Sequence, residues 1–178
     1  MEPEPNKTVT FDKPLTQWIC VSRVWLMPTL RRVVTTTADS TTVMDYLVDF
    51  EHATQWDSGT TACIRISGHG GVDTVYRNTS TFAGRTVELD YTVESLTPER
   101  LVVVGRNKST TSRDTITVTP LPDGASVEYV AEFTFNGLVA LVVPLVKPML
   151  ERLGDRTAEQ LRDCLDNLPA QGTRADRA

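Results

Sequence analysis

The sequence predicts an α+β domain in which an antiparallel sheet is covered on one face by a long C-terminal helix. Two segments alternate cleanly: Val87, Leu89, Tyr91 and Val93 against Glu88, Asp90, Thr92 and Glu94, then Val127, Tyr129, Ala131, Phe133 and Phe135 against Glu128, Val130, Glu132 and Thr134. A period of two marks strands with one covered and one wet face. Near the C-terminus Leu150, Leu153, Thr157, Leu161, Leu165 and Leu168 recur at threes and fours, an apolar stripe suited to lie against that sheet. Turn-forming residues punctuate the β-branched segments between them.

The elements follow in order. "TLRRVVTTTA" from Thr29 is rich in β-branched residues and reads as the first strand. In "DSTTVMDYLVDF", Asp39 or Ser40 offers an N-cap, and Val43, Met44, Leu47 and Phe50 stand at helical spacing. "EHATQW" reads as a short second helix that "DSG" ends. Strand candidates follow in "TACIRIS", "VDTVYRNTSTF", "RTVELDYTVESL", "LVVVGRN", "STTSRDTITVTPL" and "SVEYVAEFTF", separated by "GHGG", Gly84, "TPER" and the hairpin turn "PDGA". In the terminal helix Pro148 is expected near the first turn, with Pro144 starting or kinking it.

The chain ends read differently. Met1 to Pro14 is polar with three prolines and is expected to be loose. "WICVSRVWLM" (Trp18 to Met27) is apolar but continues neither neighbour; within the N-terminal extension 1–28, residues 1–26 are either mis-assigned sequence upstream of a start at Met27 or an extra segment covering an exposed patch of the domain. Residues 29–168 form the expected domain, and 169–178 a small polar tail that frays.

With 178 residues the chain fits one domain, and a net charge of −5 without clustered Lys or Arg gives no nucleic-acid footprint. Arg31-Arg32 is too short to alter that. Cys20, Cys63 and Cys164 are far apart, with no C-x-x-C spacing, and read as free thiols in a reducing cytoplasm. The longest apolar run, Gly137 to Leu150, is shorter than the ~20 residues of a membrane helix and contains two prolines and a lysine. No stable membrane insertion is expected, the protein is expected to be cytoplasmic, and nothing in the sequence speaks to oligomeric state.

Catalytic motifs are scarce. There is no G-x-S-x-G elbow and no H-E-x-x-H, and "GHGGV" around His69 lacks the lysine and following helix of a phosphate loop. Asp49, Glu51, His52 and Asp57 crowd into "DFEHATQWDSG", yet polar residues at a helix–turn–helix joint usually cap and solvate it. No metal site and no cofactor are expected. If Tyr76 and Phe82 face inward, Asn78 and Ser80 do too and Arg77 faces out; a bulge would swap them. Arg77 and Arg106 are cationic candidates because each interrupts an apolar or hydroxylic strand. Either they act in the interior, with Tyr76, or they lie on the solvent face paired with Glu88, Asp90 or Asp114.

The segments "VMDYLVDFEHATQW", "GGVDTVYRNTSTFAGRTVELDYTVESLTPERLVVVG", "PDGASVEYVAEFTF" and "PLVKPMLERLGDRTAEQLRDCLDNL", in this order, resemble the START-like superfamily, also called SRPBCC, and within it the polyketide cyclase/dehydrase-type proteins. The resemblance spans about Thr29 to Leu168. It implies a helix-grip fold, a curved antiparallel sheet wrapped around the C-terminal helix with two short helices after the first strand. It also implies a cavity for a hydrophobic or amphipathic small molecule such as a lipid, isoprenoid or polyketide-like compound. Trp56, Tyr76, Asn78, Leu89, Tyr91, Tyr129, Phe133, Leu145 and Met149 are the expected ligand-binding residues, with Trp56 at one mouth. Two alternatives stay open. One is a polyketide cyclase/dehydratase that needs a buried polar cluster; the other is a protein-interaction module with a collapsed cavity and an exposed apolar patch.

Overall fold

The chain runs from β1 (Thr29–Thr36) through α1 (Ser40–Val48), a single 3-10 turn (Phe50–His52) and α2 (Ala53–Trp56) into six further strands. These are β2 (Thr60–Ser67), β3 (Val75–Phe82), β4 (Arg85–Thr97), β5 (Arg100–Arg106), β6 (Thr110–Leu121) and β7 (Gly124–Phe135), followed by α3 (Val143–Asp166). The computed structural model describes residues 27–136 and 143–169, the stretch 143–146 by its backbone alone. The expectations for residues 1–26 and for the tail beyond 169 lie outside the described residues.

All seven strands form one antiparallel sheet in the order β1-β7-β6-β5-β4-β3-β2. Strands β2 to β7 are a meander, and β1 joins its far end by pairing with β7, Val34 opposite Val127. Bulges in β4 between Val93 and Ser95, and at two places in β2, bend the sheet. The result is the α+β helix-grip fold, a curved open sheet around the C-terminal helix with two short helices after β1.

Local chemistry sets the helix boundaries. The Asp39 carboxylate accepts from the backbone N–H groups of Thr41 and Thr42, both at 3.0 Å, and so starts α1. At Asp49 the backbone turns extended, and its carboxylate accepts from the N–H of Glu51 to begin the 3-10 turn. Phe50 therefore falls beyond α1 rather than on its stripe, but it is still buried. Pro148 also departs from expectation. Because α3 begins at Val143, Pro148 lies inside the helix, past the first turn, where its ring removes the bond to the carbonyl four residues back.

The core forms where α1, the 3-10 turn and α2 press onto the concave face of the sheet. Val43, Met44, Leu47, Phe50, Ala53 and Trp56 meet inward residues such as Val93, Leu101, Val103, Ile116, Val118 and Val127. Leu161 and Leu165 of α3 close the same core. Midway along its length α3 lies against β1. A Cβ on Gly154 would come within 2.4 Å of Leu30, so the glycine permits that approach. Arg32 on β1 then ties the helix down through Glu151 and Asp155, both at 2.9 Å.

One glycine governs the interior surface. Gly105 on β5 pairs with Tyr91 on β4, whose ring lies across it so closely that a Cβ would meet the ring at 2.6 Å. Gly105→Ala is expected to displace Tyr91 and cost about 1–3 kcal/mol, read as a lower urea midpoint with unchanged slope.

Candidate functional site

An aromatic layer lines the concave face beneath the short helices. Phe50 contacts Trp56, Tyr76 and Tyr91 at ring-centroid distances of 6.1, 5.8 and 5.2 Å, and Trp56 meets Tyr129 edge-on at 5.7 Å. The joint "DFEHATQW" supplies Phe50 and Trp56, while β3, β4 and β7 supply the tyrosines. The phase of β3 is the one with Tyr76, Asn78, Ser80 and Phe82 inward and Arg77 outward. Two polar atoms in this layer, Trp56 Nε1 and the Tyr76 hydroxyl, are buried without a hydrogen-bond partner. Buried donors are seldom left so, which marks this layer as unusual.

Beside the layer sits a buried carboxyl. Asp114 on β6 is only 3% exposed. Its Oδ1 accepts from the Ser112 hydroxyl at 2.5 Å, and its Oδ2 from the Tyr129 hydroxyl at 3.1 Å. Burial pushes the Asp114 carboxyl up to about 7, against the opposing pull of the Ser112 and Tyr129 hydrogen bonds. The nearby charge of Asp57 adds to the rise, and the Tyr91 hydroxyl opposes it. Burial likewise raises the Tyr91 and Tyr129 hydroxyls well above the usual phenol range, so both stay protonated near neutrality.

A second polar chain borders this cluster. Asp57, in the turn after α2, accepts from Thr157 on α3 at 2.9 Å and from Thr60 at 2.6 Å. Thr60 in turn accepts from Asn78 Nδ2 at 2.8 Å. Ser58 adds bonds to Thr157 and to the Leu153 carbonyl, so the turn is stitched to the middle of α3. The remaining polar residues of the joint are similarly employed. Glu51 accepts from the Arg65 N–H at 2.8 Å, and His52 Nδ1 donates to the Tyr46 carbonyl at 2.7 Å. Among the described residues no three His, Cys, Asp or Glu side chains gather as metal ligands.

Comparison with known proteins fits this geometry. A family model described as polyketide cyclase/dehydrase and lipid transport matches residues 27–168. The chain belongs to this family. Among curated proteins none matches it in sequence. The ZhuI aromatase/cyclase from Streptomyces sp. R1128 superposes with a TM-score of 0.68 at 14% identity, covering 79% of this chain and 94% of that one. A START superfamily protein from Mycobacterium smegmatis gives 0.67 at 16% identity over 79% and 99% of the two chains. The di-domain aromatase/cyclase BexL of the BE-7585A biosynthetic pathway gives 0.64 at 14% identity, covering 84% of this chain and 53% of that one. At such identities the likeness is one of fold.

Within this polyketide cyclase/dehydrase family member, Trp56, Tyr76, Asn78, Leu89 and Tyr91 are all buried on the concave side, and Tyr129 is half-buried beside them. Phe133 stands apart, packed partly buried against Leu30, Ala131 and Leu150. Met149 is 41% exposed on α3, while the Leu145 side chain lies outside the described residues. For Arg77 and Arg106 the solvent-face alternative is the one formed. Arg77 pairs with Asp90 at 2.8 Å and Arg106 with Glu94 at 3.0 Å, both on the solvent face. Glu94 binds Arg113 as well, at 2.5 Å.

Of the three acidic residues offered as partners for the strand arginines, Asp90 pairs with Arg77, whereas Asp114 faces inward and binds Ser112 and Tyr129. The signal was available: counting back in twos from Val118 and Ile116 puts Asp114 and Ser112 on the covered face. Cys63 is buried, its thiol pushed up to about 12 by burial, and so is unreactive; Cys164 is half-buried. No helix among the described residues is long and apolar enough to cross a membrane.

The raised Asp114 carboxyl has a stability consequence. Its native value lies above the ordinary carboxylate value of 3.8, so the native state holds the proton more tightly than the unfolded chain. That stabilisation is complete below about 3.8 and is lost as pH rises through about 7. Asp114→Asn is expected to remove this slope, leaving the variant closer to, or above, wild-type stability at pH about 8 than at pH about 5. The difference between the two pH values, about 2–3 kcal/mol, is readable from denaturation midpoints.

Proposed function

We propose that the protein binds a hydrophobic or amphipathic small molecule, a lipid, isoprenoid or polyketide-like compound, between the sheet and α3. The observation that carries this reading is the partly unsatisfied polar cluster set in an apolar wall. Trp56 Nε1 and the Tyr76 hydroxyl lack partners in the same layer that meets the Tyr129–Asp114–Ser112 chain. A concave apolar surface with a few convergent polar groups is the usual form of a small-molecule site. The family to which the chain belongs, described as polyketide cyclase/dehydrase and lipid transport, supports the same reading.

Two depressions formed by described residues lie elsewhere, one between α1 and the β4–β5 turn and one on the outer face by Val104 and Arg106. Neither is lined by Asp114 or Trp56, so the grip rather than these dents is the proposed site. A second reading, cyclisation or dehydration of a poly-β-ketone, is favoured by Asp114 alone. A buried carboxyl that titrates near neutrality can give and take a proton at working pH, whereas an ordinary carboxylate cannot.

Native mass spectrometry of the purified protein tests the first reading. A small apolar molecule retained in the gas phase and released on denaturation is the expected result; protein that neither carries nor takes up any apolar compound refutes it. Incubation with a poly-β-ketone mimic tests the second. Turnover should then fall about 10²-fold or more in Asp114→Asn while Arg77→Ala stays at the wild-type rate.

A further inference from the structure

Resting on the reading that the grip holds an apolar molecule, we propose that Ser112, Asp114, Tyr129 and the Trp56 indole select a neutral hydrogen-bond acceptor on that molecule and reject an anionic group, with a proton on Asp114 as the gate. Two observations lead there, one of charge and one of donors.

The charge balance of the interior is one-sided. Among the described residues every lysine and arginine is exposed except Arg32, which is half-buried and engaged by Glu151 and Asp155. The inner face instead presents Asp114, with Asp57 at its margin. A carboxylate or phosphate entering this space would lose its water, meet two carboxyls and find no counter-charge. A ketone, ester or ether oxygen meets no such penalty.

The donor count points to an acceptor. The Trp56 indole N–H is buried and unpartnered, and indole nitrogen can only donate. Its ring stands edge-on to Tyr129, at 5.7 Å between centroids, and the Tyr129 hydroxyl lies 3.1 Å from Asp114 Oδ2. When Asp114 is protonated at Oδ2, that proton is donated to the Tyr129 oxygen, and the phenolic O–H is free to turn to a ligand. Two donors then serve one acceptor. When Asp114 is ionised, it accepts the Tyr129 O–H itself, which withdraws that donor and adds a negative charge.

The groups that bear on Asp114 are Ser112 on its own strand, Tyr129 from β7, Tyr91 from β4 and Asp57 from the turn after α2. From α3, Thr157 reaches only Asp57, as a neutral donor. Tyr91 and Tyr129 stay protonated through the neutral range, so the proton that changes there is carried by Asp114.

The test uses two probes of nearly the same shape, naphthyl methyl ketone and naphthoate, titrated into the full chain by calorimetry from pH about 5.5 to about 8.5, a range in which neither probe changes charge. The ketone is expected to bind at least about tenfold more tightly than naphthoate, and to weaken as pH rises through the neutral range. Asp114→Asn should hold the ketone with an affinity flat across that range. Tyr129→Phe should keep the ring and lose about tenfold for the ketone at the acid end. Equal binding of the two probes, or an unchanged pH dependence in Asp114→Asn, overturns the inference and leaves the ligand-binding reading standing. Failure of both probes to bind at any pH overturns both.

Discussion

The carboxylate of Asp57 joins the three layers of the molecule. It accepts from Thr157 in the middle of α3, from Thr60 at the start of β2, and from the backbone of Gly59 in its own turn. Through Thr60 the chain of hydrogen bonds continues to Asn78 on β3. A curved sheet and a single helix share few natural contacts, because the curvature carries the sheet away from the helix along most of its length. The helix must therefore be fixed at particular points, and hydrogen bonds to a charged acceptor are the stronger kind, worth about 1.5–3 kcal/mol each. Arg32 fastens α3 to β1 close by, through Glu151 and Asp155, but it does so nearer solvent, where ion pairs contribute less.

With the helix held there, the space under the short helices takes its character from the sheet. Gly105 lets the Tyr91 ring lie flat across β5, and Phe50 packs against Tyr91, Tyr76 and Trp56. Aromatic rings fill volume with few rotatable bonds, so they give a rigid wall that still carries polar tips. Those tips are what separate this wall from an ordinary core. Two are unpartnered, and one, on Tyr129, leads to a carboxyl kept close to neutral by burial. Burial and stability are opposed at Asp114. The group would be less costly to the fold on the surface, yet only in the interior does it titrate near neutrality.

The solvent face follows a different rule. Arg77 with Asp90, and Arg106 and Arg113 with Glu94, form cross-strand pairs that need no interior role to explain them. In sequence an arginine within a β-branched strand looks the same whether it faces a ligand or water. Strand alternation resolves the question only once the phase is fixed, and for β3 the phase was ambiguous because Tyr76, Asn78 and Ser80 mix apolar and polar types. On β6 the pattern was readable, with Val118 and Ile116 setting the phase that buries Asp114 and Ser112. A carboxylate at a covered position contradicts the expectation that charges face water, and that expectation won.

By itself the sequence determined the seven strands, the two short helices and the closing helix, because these rest on periodicity and capping, which act between near neighbours. Asp39 caps α1, and the leucine stripe of α3 faces the core for that reason. Only the tertiary structure decided which polar residues share the interior. Ser112, Asp114 and Tyr129 come from two strands, and Asp57 meets Thr157 across 100 residues of chain. Such pairings depend on strand register, on the β4 bulge and on the seating of α3. These are set by packing of the whole molecule and leave no local mark on the chain.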